Sequence, residues 1–419
     1  MENIGDVIGE WAQTAEKKPL RERDFDFERA ITESRDRVIS ITGVRRSGKS
    51  SLLMLIYRRI AAKGGKAVYV NVEDDRLRFK GALDEILKHA KDAEWLLLDE
   101  VANAPGWEGW MHRINEMKSI RLITASSLNK LSRFPPRELR GRITYFELFP
   151  LSFREFLEFK GIEPAKTVRG IGAAERALEE YLVFGGFPEA VISENKAGIL
   201  QEYVNSIVSL DVAALSDIPL RVVFDFYSQL AGTTFFSATK TERVLKSAGH
   251  SVGKGTLLEL ERLLEAAYLA FFVQIYSTKI KDRTLYPRKV YLVDCGLFYA
   301  ATGKKDWGRF YENAVFLQLR RKLGQLEQIV YYRSQENREV DFAVKSGSRI
   351  KMLIQVAYEI DERIKEREVG ALVEAAQEFG LSGKGSELLV ITRDLKKTED
   401  VRGKRITYVR LRAWLLEEE

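Results

Sequence analysis

Residues that form disulfides or bind zinc are scarce in this sequence. Among 419 residues there is one cysteine, Cys295, and there are three widely spaced histidines, His89, His112 and His250. A single thiol cannot close a disulfide within the chain, and so few thiol and imidazole groups argue against a zinc site. Long apolar runs are missing too: none approaches the roughly 18 residues of a membrane span, and no export signal opens the chain. We therefore expect a cytoplasmic protein without a membrane partner.

A strong excess of one charge is also absent. The 67 Lys and Arg residues outnumber the 61 Asp and Glu residues by six, which gives a net charge of +6. So mild an excess permits nucleic-acid binding without indicating it. The same composition fits the charged surface of a heat-adapted protein. With 45% hydrophobic residues over this length, we expect a globular protein of two to four domains.

The first third of the chain alternates short apolar runs with helical patterns. This alternation predicts parallel strands with crossover helices, the α/β doubly wound arrangement. Five runs are expected to be strands: RVISIT (37–42), KAVYVNV (66–72), EWLLLDE (94–100), SIRLITAS (119–126) and RITYFEL (142–148).

A phosphate-binding pattern lies between the first strand and the helix after it. The segment GVRRSGKS (43–50) matches G-x-x-x-x-G-K-[ST] in full. Its backbone N–H groups and the helix N-terminus suit phosphate oxygens. Lys49 is expected to reach the β- and γ-phosphates, and the Ser50 hydroxyl to bind Mg²⁺. The nucleotide-binding residues are then expected to be Gly43, Val44, Arg45, Arg46, Ser47, Gly48, Lys49, Ser50 and Ser51.

An acidic pair ends the third predicted strand. WLLLDE carries Asp99 and Glu100 to the carboxyl edge of the sheet, where open α/β sheets bind ligands. Asp99 fits a carboxylate that holds Mg²⁺, and Glu100 fits the base that orients the attacking water. A surface acidic pair is the alternative, but a complete P-loop accompanies this one. We expect ATP and Mg²⁺ to bind here, and ATP to be hydrolysed.

Other polar residues near the strand ends are candidates for the same site. Asn71 could hold Glu100 away from water, and Ser126 could contact the γ-phosphate or the water; either could instead cap its strand. Arg140 and Arg142 are candidates for an arginine finger that acts on a neighbouring subunit, which would make the enzyme an oligomer. The alternative is a basic turn that also contains Arg133 and Arg137.

Several of these segments resemble a known family. GVRRSGKS, NVEDDRL, LLLDEV, WEGW, ITASS, LRGR, FELFPLSFREFL and FGGFPEA are similar to segments of AAA+-type ATPases abundant in archaea. The resemblance implies a core with strand order 5-1-4-3-2 and a small helical lid. It also implies a winged helix and a restriction-endonuclease-like domain of the PD-(D/E)xK type. The expected domains are residues 1–150 (AAA+ core), 151–212 (lid), 213–290 (winged helix) and 291–419 (nuclease-like).

Residues 239–273 have the texture of a helix-turn-helix. Gly249 supplies the turn, Ser251 is expected to cap the second helix, and Lys254 lies near its start, where recognition helices meet DNA. The following segment, 276–292, is expected to form a β-wing. Its cations and Lys254 are the candidate DNA contacts: Lys254, Lys279, Lys281, Arg283, Arg288 and Lys289. A protein-docking winged helix, or a plain hairpin, is the alternative.

The last domain lacks groups that a PD-(D/E)xK nuclease needs. Its resemblance implies Glu312 on a helix and Asp341 on a strand, but the E-x-K positions hold Gln355 and Ala357. An amide is a poor ligand for Mg²⁺, and alanine offers no ammonium group. We therefore expect no nuclease activity here.

Together these features favour an oligomeric ATPase, with a hexamer as the candidate oligomer, that binds DNA and couples ATP turnover to DNA binding or remodelling. The competing hypothesis is a nucleotide-dependent switch that recruits protein partners.

Overall fold

The computed structural model describes residues 3–127, 139–163, 167–324, 326–334, 336–381 and 387–418. The chain divides into two compact units. Unit 1 is Met1–Pro150 with Ala266–Tyr268, and unit 2 is Leu151–Glu265 with Leu269–Glu419.

Unit 1 contains a five-stranded sheet in which all neighbouring strands are parallel. The order is β2-β3-β4-β1-β5, which confirms the predicted order 5-1-4-3-2. All five predicted runs form strands, within two residues of their expected bounds. The strands are β1 (Val38–Thr42), β2 (Ala67–Asn71), β3 (Trp95–Asp99), β4 (Arg121–Ser126) and β5 (Ile143–Glu147).

Both faces of this sheet are buried. Alternate residues of β3 enter opposite cores: Leu96 and Leu98 pack on one face, while Trp95 and Leu97 pack on the other. Helices on both sides explain why the strands are nearly continuous apolar runs. The helices of unit 1 are α1 (Ile4–Lys17), α2 (Phe27–Glu33), α3 (Lys49–Ala62), α4 (Ala82–His89) and α5 (Trp107–Met117).

Unit 2 begins with a group of helices. The first has a capping box, in which the Ser152 hydroxyl accepts from the Glu155 N–H and the Glu155 carboxylate accepts from the Ser152 N–H. The helices are α6 (Phe153–Phe159), α7 (Val168–Phe184), α8 (Pro188–Ile192) and α9 (Lys196–Ser206), followed by a π-helical segment (Ile207–Val212) and a short 3₁₀ turn (Ala213–Leu215).

A buried carboxylate fixes the glycine turn between α7 and α8. Asp294 accepts hydrogen bonds from the N–H groups of Gly186 (2.7 Å) and Gly296 (2.9 Å). A Cβ at Gly185 would lie 1.6 Å from Oδ1 of Asp294, so this turn requires glycine. Burial raises the pKa of Asp294 to about 6, although both N–H groups lower it.

The next segment contains a small antiparallel sheet of order β6-β8-β7. Its elements are α10 (Leu220–Ala231), β6 (Phe235–Phe236), α11 (Ala238–Ser247), α12 (Lys254–Ala266), β7 (Ala270–Val273), α13 (Ile280–Leu285) and β8 (Arg288–Leu292).

Two local predictions in this segment were wrong. Helix α12 begins at Lys254, three residues beyond the expected serine cap at Ser251. The expected β-wing contains the short helix α13, because hydrogen bonds of Ser277 hold the start of this segment in a turn. Its hydroxyl donates to Asp282 (2.9 Å) and accepts from the Lys279 N–H (3.1 Å).

A six-stranded sheet of order β13-β14-β12-β11-β10-β9 completes unit 2. Strands β11, β12 and β14 are mutually parallel, and the other pairs are antiparallel. The remaining elements are α14 (Gly296–Thr302), α15 (Trp307–Lys322), β9 (Glu327–Arg333), β10 (Glu339–Ser346), β11 (Arg349–Ala357), α16 (Glu362–Glu378), β12 (Glu387–Thr392), β13 (Lys397–Val401), β14 (Lys404–Arg410) and α17 (Leu411–Leu416). No described helix has the length and apolar character to span a membrane.

Candidate active site

The P-loop connects β1 to α3 and places backbone N–H groups at the helix N-terminus. Gly43 passes so close to β5 that a Cβ there would lie 2.2 Å from the Leu148 carbonyl oxygen. Gly48 has φ of +98°, and α3 begins at the next residue. The Lys49 side chain is buried, and its Nζ donates to the carbonyl oxygens of Gly43 (3.1 Å) and Val44 (3.0 Å). The loop therefore has the curled shape that receives an anion.

The register of the parallel strands brings the residues that we expected at the strand ends to one edge of the sheet. Thr42 pairs with Ser126 where β1 and β4 end, and Asn71 pairs with Asp99 where β2 and β3 end. Because the P-loop leaves β1 at the same edge, the acidic pair lies on the side of the sheet that carries Lys49.

Asp99 has the features of a cation ligand. Its side chain is fully buried, and Oδ1 has no hydrogen-bond partner among the described residues. Oδ2 accepts from the Tyr69 hydroxyl (3.2 Å). Burial raises the pKa of Asp99, while the Ser50 hydroxyl and the Lys49 ammonium lower it. A buried carboxylate oxygen without a donor, next to a hydroxyl, fits the oxygen ligands that Mg²⁺ prefers.

Glu100 adopts a backbone conformation that is rare for a residue with a side chain. Its φ is +49°, which places it in the left-handed region at a cost of about 1 kcal/mol or more. Oε2 accepts from the backbone N–H of Ser127 (3.1 Å) and from its hydroxyl (3.3 Å). Burial raises the pKa of Glu100, the Lys49 charge lowers it and the Asp99 charge raises it. A carboxylate with a raised pKa beside a phosphate loop suits a general base.

The contact to Glu100 that we expected Asn71 to make is made by Ser127 in this structure. The Asn71 side chain instead accepts from the Glu73 N–H (2.9 Å) and caps the turn after β2. Ser126 is buried at the end of β4. Ser126 was predicted to belong to the site and Ser127 was not, because a position at the end of a strand does not distinguish the two serines.

The candidate finger arginines lie at the opposite edge of the sheet. The Arg142 carbonyl accepts from the N–H of Val38, the first residue of β1, whereas the P-loop follows the last. Arg142 Nε is 2.6 Å from Glu116, in a half-exposed ion pair. Arg140 is exposed, and Arg133 and Arg137 lie outside the described residues. Neither Arg140 nor Arg142 is placed to serve the P-loop of its own chain.

Arg23 is a P-loop neighbour that sequence analysis missed. Its buried guanidinium donates to the carbonyl oxygens of Ser47 (2.8 Å) and Phe149 (3.0 Å). The peptide unit is planar and trans, so fixing the Ser47 carbonyl also fixes the Gly48 N–H on the opposite side. Arg23 therefore orients one donor of the loop. It lies in the run RERDFDFER, whose charges are typical of a solvated surface, so no sequence signal separates it from Arg21.

Four of the six candidate DNA contacts are exposed. They are Lys254, Lys279, Lys281 and Arg283. Arg288 is engaged with Glu261 at 2.7 Å, and both side chains are largely buried.

The structure does not place Lys289 among the exposed cations. Its side chain is 3% exposed, and Nζ lies 2.9 Å from Glu312, 2.9 Å from Glu339 and 2.8 Å from Asp341. A buried ammonium held by three carboxylates cannot reach a DNA phosphate. Among the described residues, no group of three or more His, Cys, Asp or Glu is arranged to hold a metal ion. Here the three carboxylates surround an ammonium instead.

Asp341 and Gln355, two other nuclease-like positions, form hydrogen bonds with the protein backbone in the same region. Asp341 Oδ2 accepts from the Val356 N–H (2.9 Å), and Gln355 Oε1 accepts from the Asp341 N–H (3.1 Å). Burial raises the pKa of Asp341 to about 7, Lys289 lowers it and Glu312 raises it. The pKa of Glu312 is lowered on balance, because Lys289 and the Tyr291 hydroxyl outweigh its burial.

Comparison with known proteins places the chain in a family. Residues 35–157 match a family described as an AAA domain, while residues 175–307 and 307–414 match two domains of unknown function, DUF8612 and DUF4143. An uncharacterized protein of Methanocaldococcus jannaschii is 32% identical over 391 residues, which cover 90% of this chain and 86% of the relative. The chain belongs to the same family as this archaeal protein. Residues 35–157 are an AAA+-type P-loop domain, and the protein is an ATPase-like nucleotide-binding protein.

A bacterial protein is similar to the chain as well. An uncharacterized protein of Haemophilus influenzae is 29% identical over 355 residues, which cover 78% of this chain and 84% of the relative. Neither relative's description names an activity.

Solved structures give weaker likenesses. A signal-transduction ATPase with a tetratricopeptide repeat sensor from Pyrococcus horikoshii is 13% identical, with a TM-score of 0.28, and the match covers 73% of this chain and 46% of that one. DnaA from Aquifex aeolicus, bound to AMPPCP, is 17% identical, with a TM-score of 0.26, and the match covers 57% of this chain and 85% of that one.

Proposed function

We propose that this protein is an ATPase that binds DNA and couples ATP turnover to DNA binding or remodelling. The observation that carries the ATPase part is the buried Asp99, which has one oxygen without a hydrogen-bond partner among the described residues, beside Lys49 and Glu100 at one edge of the sheet. An anion loop, a cation ligand and a base with a raised pKa are the groups that phosphoanhydride hydrolysis requires.

Each residue has a distinct role in this proposal. The N–H groups of residues 43–51 and the Lys49 ammonium bind the triphosphate, and Ser50 and Asp99 would hold Mg²⁺. When bound, Mg²⁺ neutralises negative charge on the phosphate oxygens. Glu100, positioned by Ser127, orients the attacking water and accepts its proton. Ser126 and Asn71 remain candidates for contacting the γ-phosphate and restraining Glu100. Arg140 or Arg142 acts on a neighbouring subunit, and a hexamer is the candidate oligomer.

We propose the domain boundaries that the sequence predicts, namely 1–150, 151–212, 213–290 and 291–419. Support for a winged helix comes from the element order α10-β6-α11-α12-β7-α13-β8 and its three-stranded antiparallel sheet. Support for a nuclease-like fold comes from helix α15 before β9-β10-β11 and from the parallel strand β12 after α16. With Lys289 among its carboxylates, the nuclease-like domain acts as a scaffold or DNA-docking surface and does not cleave DNA.

The DNA-binding part rests on Lys254, Lys279, Lys281 and Arg283, which are exposed. Contacts of this kind bind phosphates without reading sequence, and they weaken steeply with salt. The test measures ATPase rates with single-stranded, duplex and branched DNA, and DNA binding at two salt concentrations. Replacing Lys279 and Lys281 with Ala should weaken binding, and Lys305→Ala, an exposed lysine elsewhere, should not. DNA that neither binds at low salt nor changes the ATPase rate contradicts the proposal.

One observation favours the alternative of a nucleotide-dependent switch that recruits protein partners. The cations of α13 are interspersed with exposed apolar side chains, Ile280 (74% exposed) and Leu285 (68%). Apolar groups on a short exposed helix suit a protein interface better than a phosphate backbone. Slow, DNA-insensitive hydrolysis and partner binding that survives high salt would support this function.

A further inference from the structure

Unit 2 contains a cavity at the edge where three of its parallel strands end. Ala357, Thr392 and Arg410 close β11, β12 and β14 side by side in register. Tyr358 and Arg393 follow directly after the first two strands and line the cavity. Its volume is about 320 Å³, within the range of roughly 300–1,000 Å³ that small-molecule sites occupy. The carboxyl edge of parallel strands is where α/β sheets bind ligands.

Aromatic rings form one wall of this cavity. The rings of Trp307 and Tyr358 lie within 14° of parallel, with centroids 5.8 Å apart. Tyr311 meets Tyr358 edge-on, with centroids 5.0 Å apart. Trp307 and Tyr358 are only partly buried, so ring surface remains open to a ligand. Such a wall favours a flat, unsaturated group that stacks.

Two arginines flank the rings. The Arg393 guanidinium is 48% exposed, and its carboxylate contacts with Glu359 and Asp394 are long, at 3.8 and 3.7 Å. It also donates to the Tyr358 hydroxyl (3.2 Å). Arg410 is exposed and donates through Nε to the Asp394 carbonyl (2.8 Å). Two guanidinium groups on one rim favour an anionic group, because arginine binds phosphate through paired N–H donors.

Carboxylates lie on the wall that α7 contributes. Glu175 is 3.0 Å from Arg412, so its charge is balanced within the protein. Glu179 is exposed and lines the same wall. Carboxylate oxygens accept hydrogen bonds from hydroxyl groups. The cavity thus combines a ring for stacking, guanidinium groups for an anion and a carboxylate for hydroxyl groups.

We propose that this cavity binds a nucleotide unit, with the base stacked on Trp307, the phosphate at Arg393 and Arg410, and sugar hydroxyls toward Glu179. The unit is either a free nucleotide or part of a single strand, in which aromatic stacking and basic groups act together. A cationic peptide fits less well, because the Arg393 guanidinium already lies over the Tyr358 ring, 5.4 Å from its centroid. The site uses no P-loop residue.

The test measures binding to the full chain carrying Lys49→Ala, which weakens the P-loop as a competing nucleotide site. The probes are uridine monophosphate, whose binding is measured by calorimetry, and a fluorescent oligouridylate, whose binding is measured by anisotropy; both carry ribose hydroxyls. Trp307→Leu and Arg393→Ala should each weaken binding about tenfold, the loss expected for one stacked base or one charged contact. The matched control is Arg349→Ala, an exposed arginine at the start of β11, which should change affinity by less than about twofold. Circular dichroism melts check that every variant is folded.

The two probes separate the two sources. Weakening for both probes, or for the mononucleotide alone, supports a free-nucleotide site, and weakening for the oligonucleotide alone supports single-strand binding. The proposal is overturned if neither probe binds, or if Trp307→Leu and Arg393→Ala bind like the control. It is also overturned if an arginine-rich peptide binds in a Trp307-dependent way while both nucleotide probes do not. These experiments measure binding alone. A negative result therefore does not contradict the proposed ATPase activity, and a lack of ATPase activity does not contradict this nucleotide site.

Discussion

Replacing Lys289 with Met should destabilise unit 2 severely, because it leaves buried negative charge without its partner. The ammonium lies 2.8–2.9 Å from three carboxylates whose side chains are 13–23% exposed. Removing one partner from a buried ion pair costs about 3–5 kcal/mol. For a unit of this size, each kcal/mol lowers Tm by about 2–4 °C, so we expect a fall of roughly 6–20 °C at pH 8.

The deficit should depend on pH. Lys289 lowers the pKa of both Asp341 and Glu312. Its loss therefore raises the folded-state pKa of Asp341 further above the unfolded value, and it removes the charge that holds the pKa of Glu312 below its ordinary value. A carboxyl group with a raised folded pKa destabilises the protein as pH rises through that pKa, because the unfolded state then releases its proton more readily. The variant should therefore approach the wild type near pH 5 and fall furthest behind at pH 8.

Urea unfolding of the wild type, Lys289→Met and Lys305→Met at pH 5 and pH 8 measures these differences. Lys305 is an exposed lysine, so its replacement should change the free energy of unfolding by no more than about 0.5 kcal/mol. A loss below about 1 kcal/mol for Lys289→Met at pH 8, or an equal loss at both pH values, would refute the reasoning.

Three further predictions concern unit 1. Glu100→Gln should retain ATP binding but lower turnover about 10²–10⁴-fold, whereas Glu94→Gln, an exposed residue at the opposite end of β3, should leave turnover unchanged; normal turnover in Glu100→Gln excludes it as the base. Arg23→Met should raise KM for ATP more than it lowers kcat, with partial rescue by Arg23→Lys, since a lysine can still donate to one carbonyl; an unchanged KM shows that the Gly48 N–H does not need this support. Arg142→Ala should lose ATPase activity and regain part of it when mixed with Lys49→Ala protein; two inactive variants that stay inactive together argue against a finger acting between subunits.

The parallel sheet and the P-loop could be predicted because their signals are local. Each strand is a mostly apolar run of five or six residues, and the phosphate loop follows β1 directly. Asp99 and Glu100 were found for the same reason, since they continue an apolar strand. Ser127 and Arg23 were missed because their roles come from contacts across the fold, in the case of Arg23 with a carbonyl 126 residues away in sequence.

The basic segment 279–289, which ends in β8, shows more clearly what the sequence could not predict. Lys279 and Lys289 look alike as members of one charge run, yet one is exposed and the other is buried. The only available signal was strand alternation, which puts Lys289 on the same face as Tyr291, a residue of the core. The partners of Lys289 lie 23 and 52 residues further along the chain, at Glu312 and Asp341. A carboxylate pattern in α15 and β10 does not reveal that its cation comes from β8.

The buried ammonium of Lys289 also has a mechanical consequence. It belongs to β8 of the small sheet but is bonded to α15 and to β10 of the large one. The backbone of Tyr276 adds a second tie, because its N–H donates to the Tyr331 carbonyl of β9 at 2.6 Å. Twisting the small sheet against the large one would separate the buried Lys289 ammonium from its carboxylates, in a place that water does not reach. Any torque on the segment from α10 to β8 must therefore turn the six strands with it.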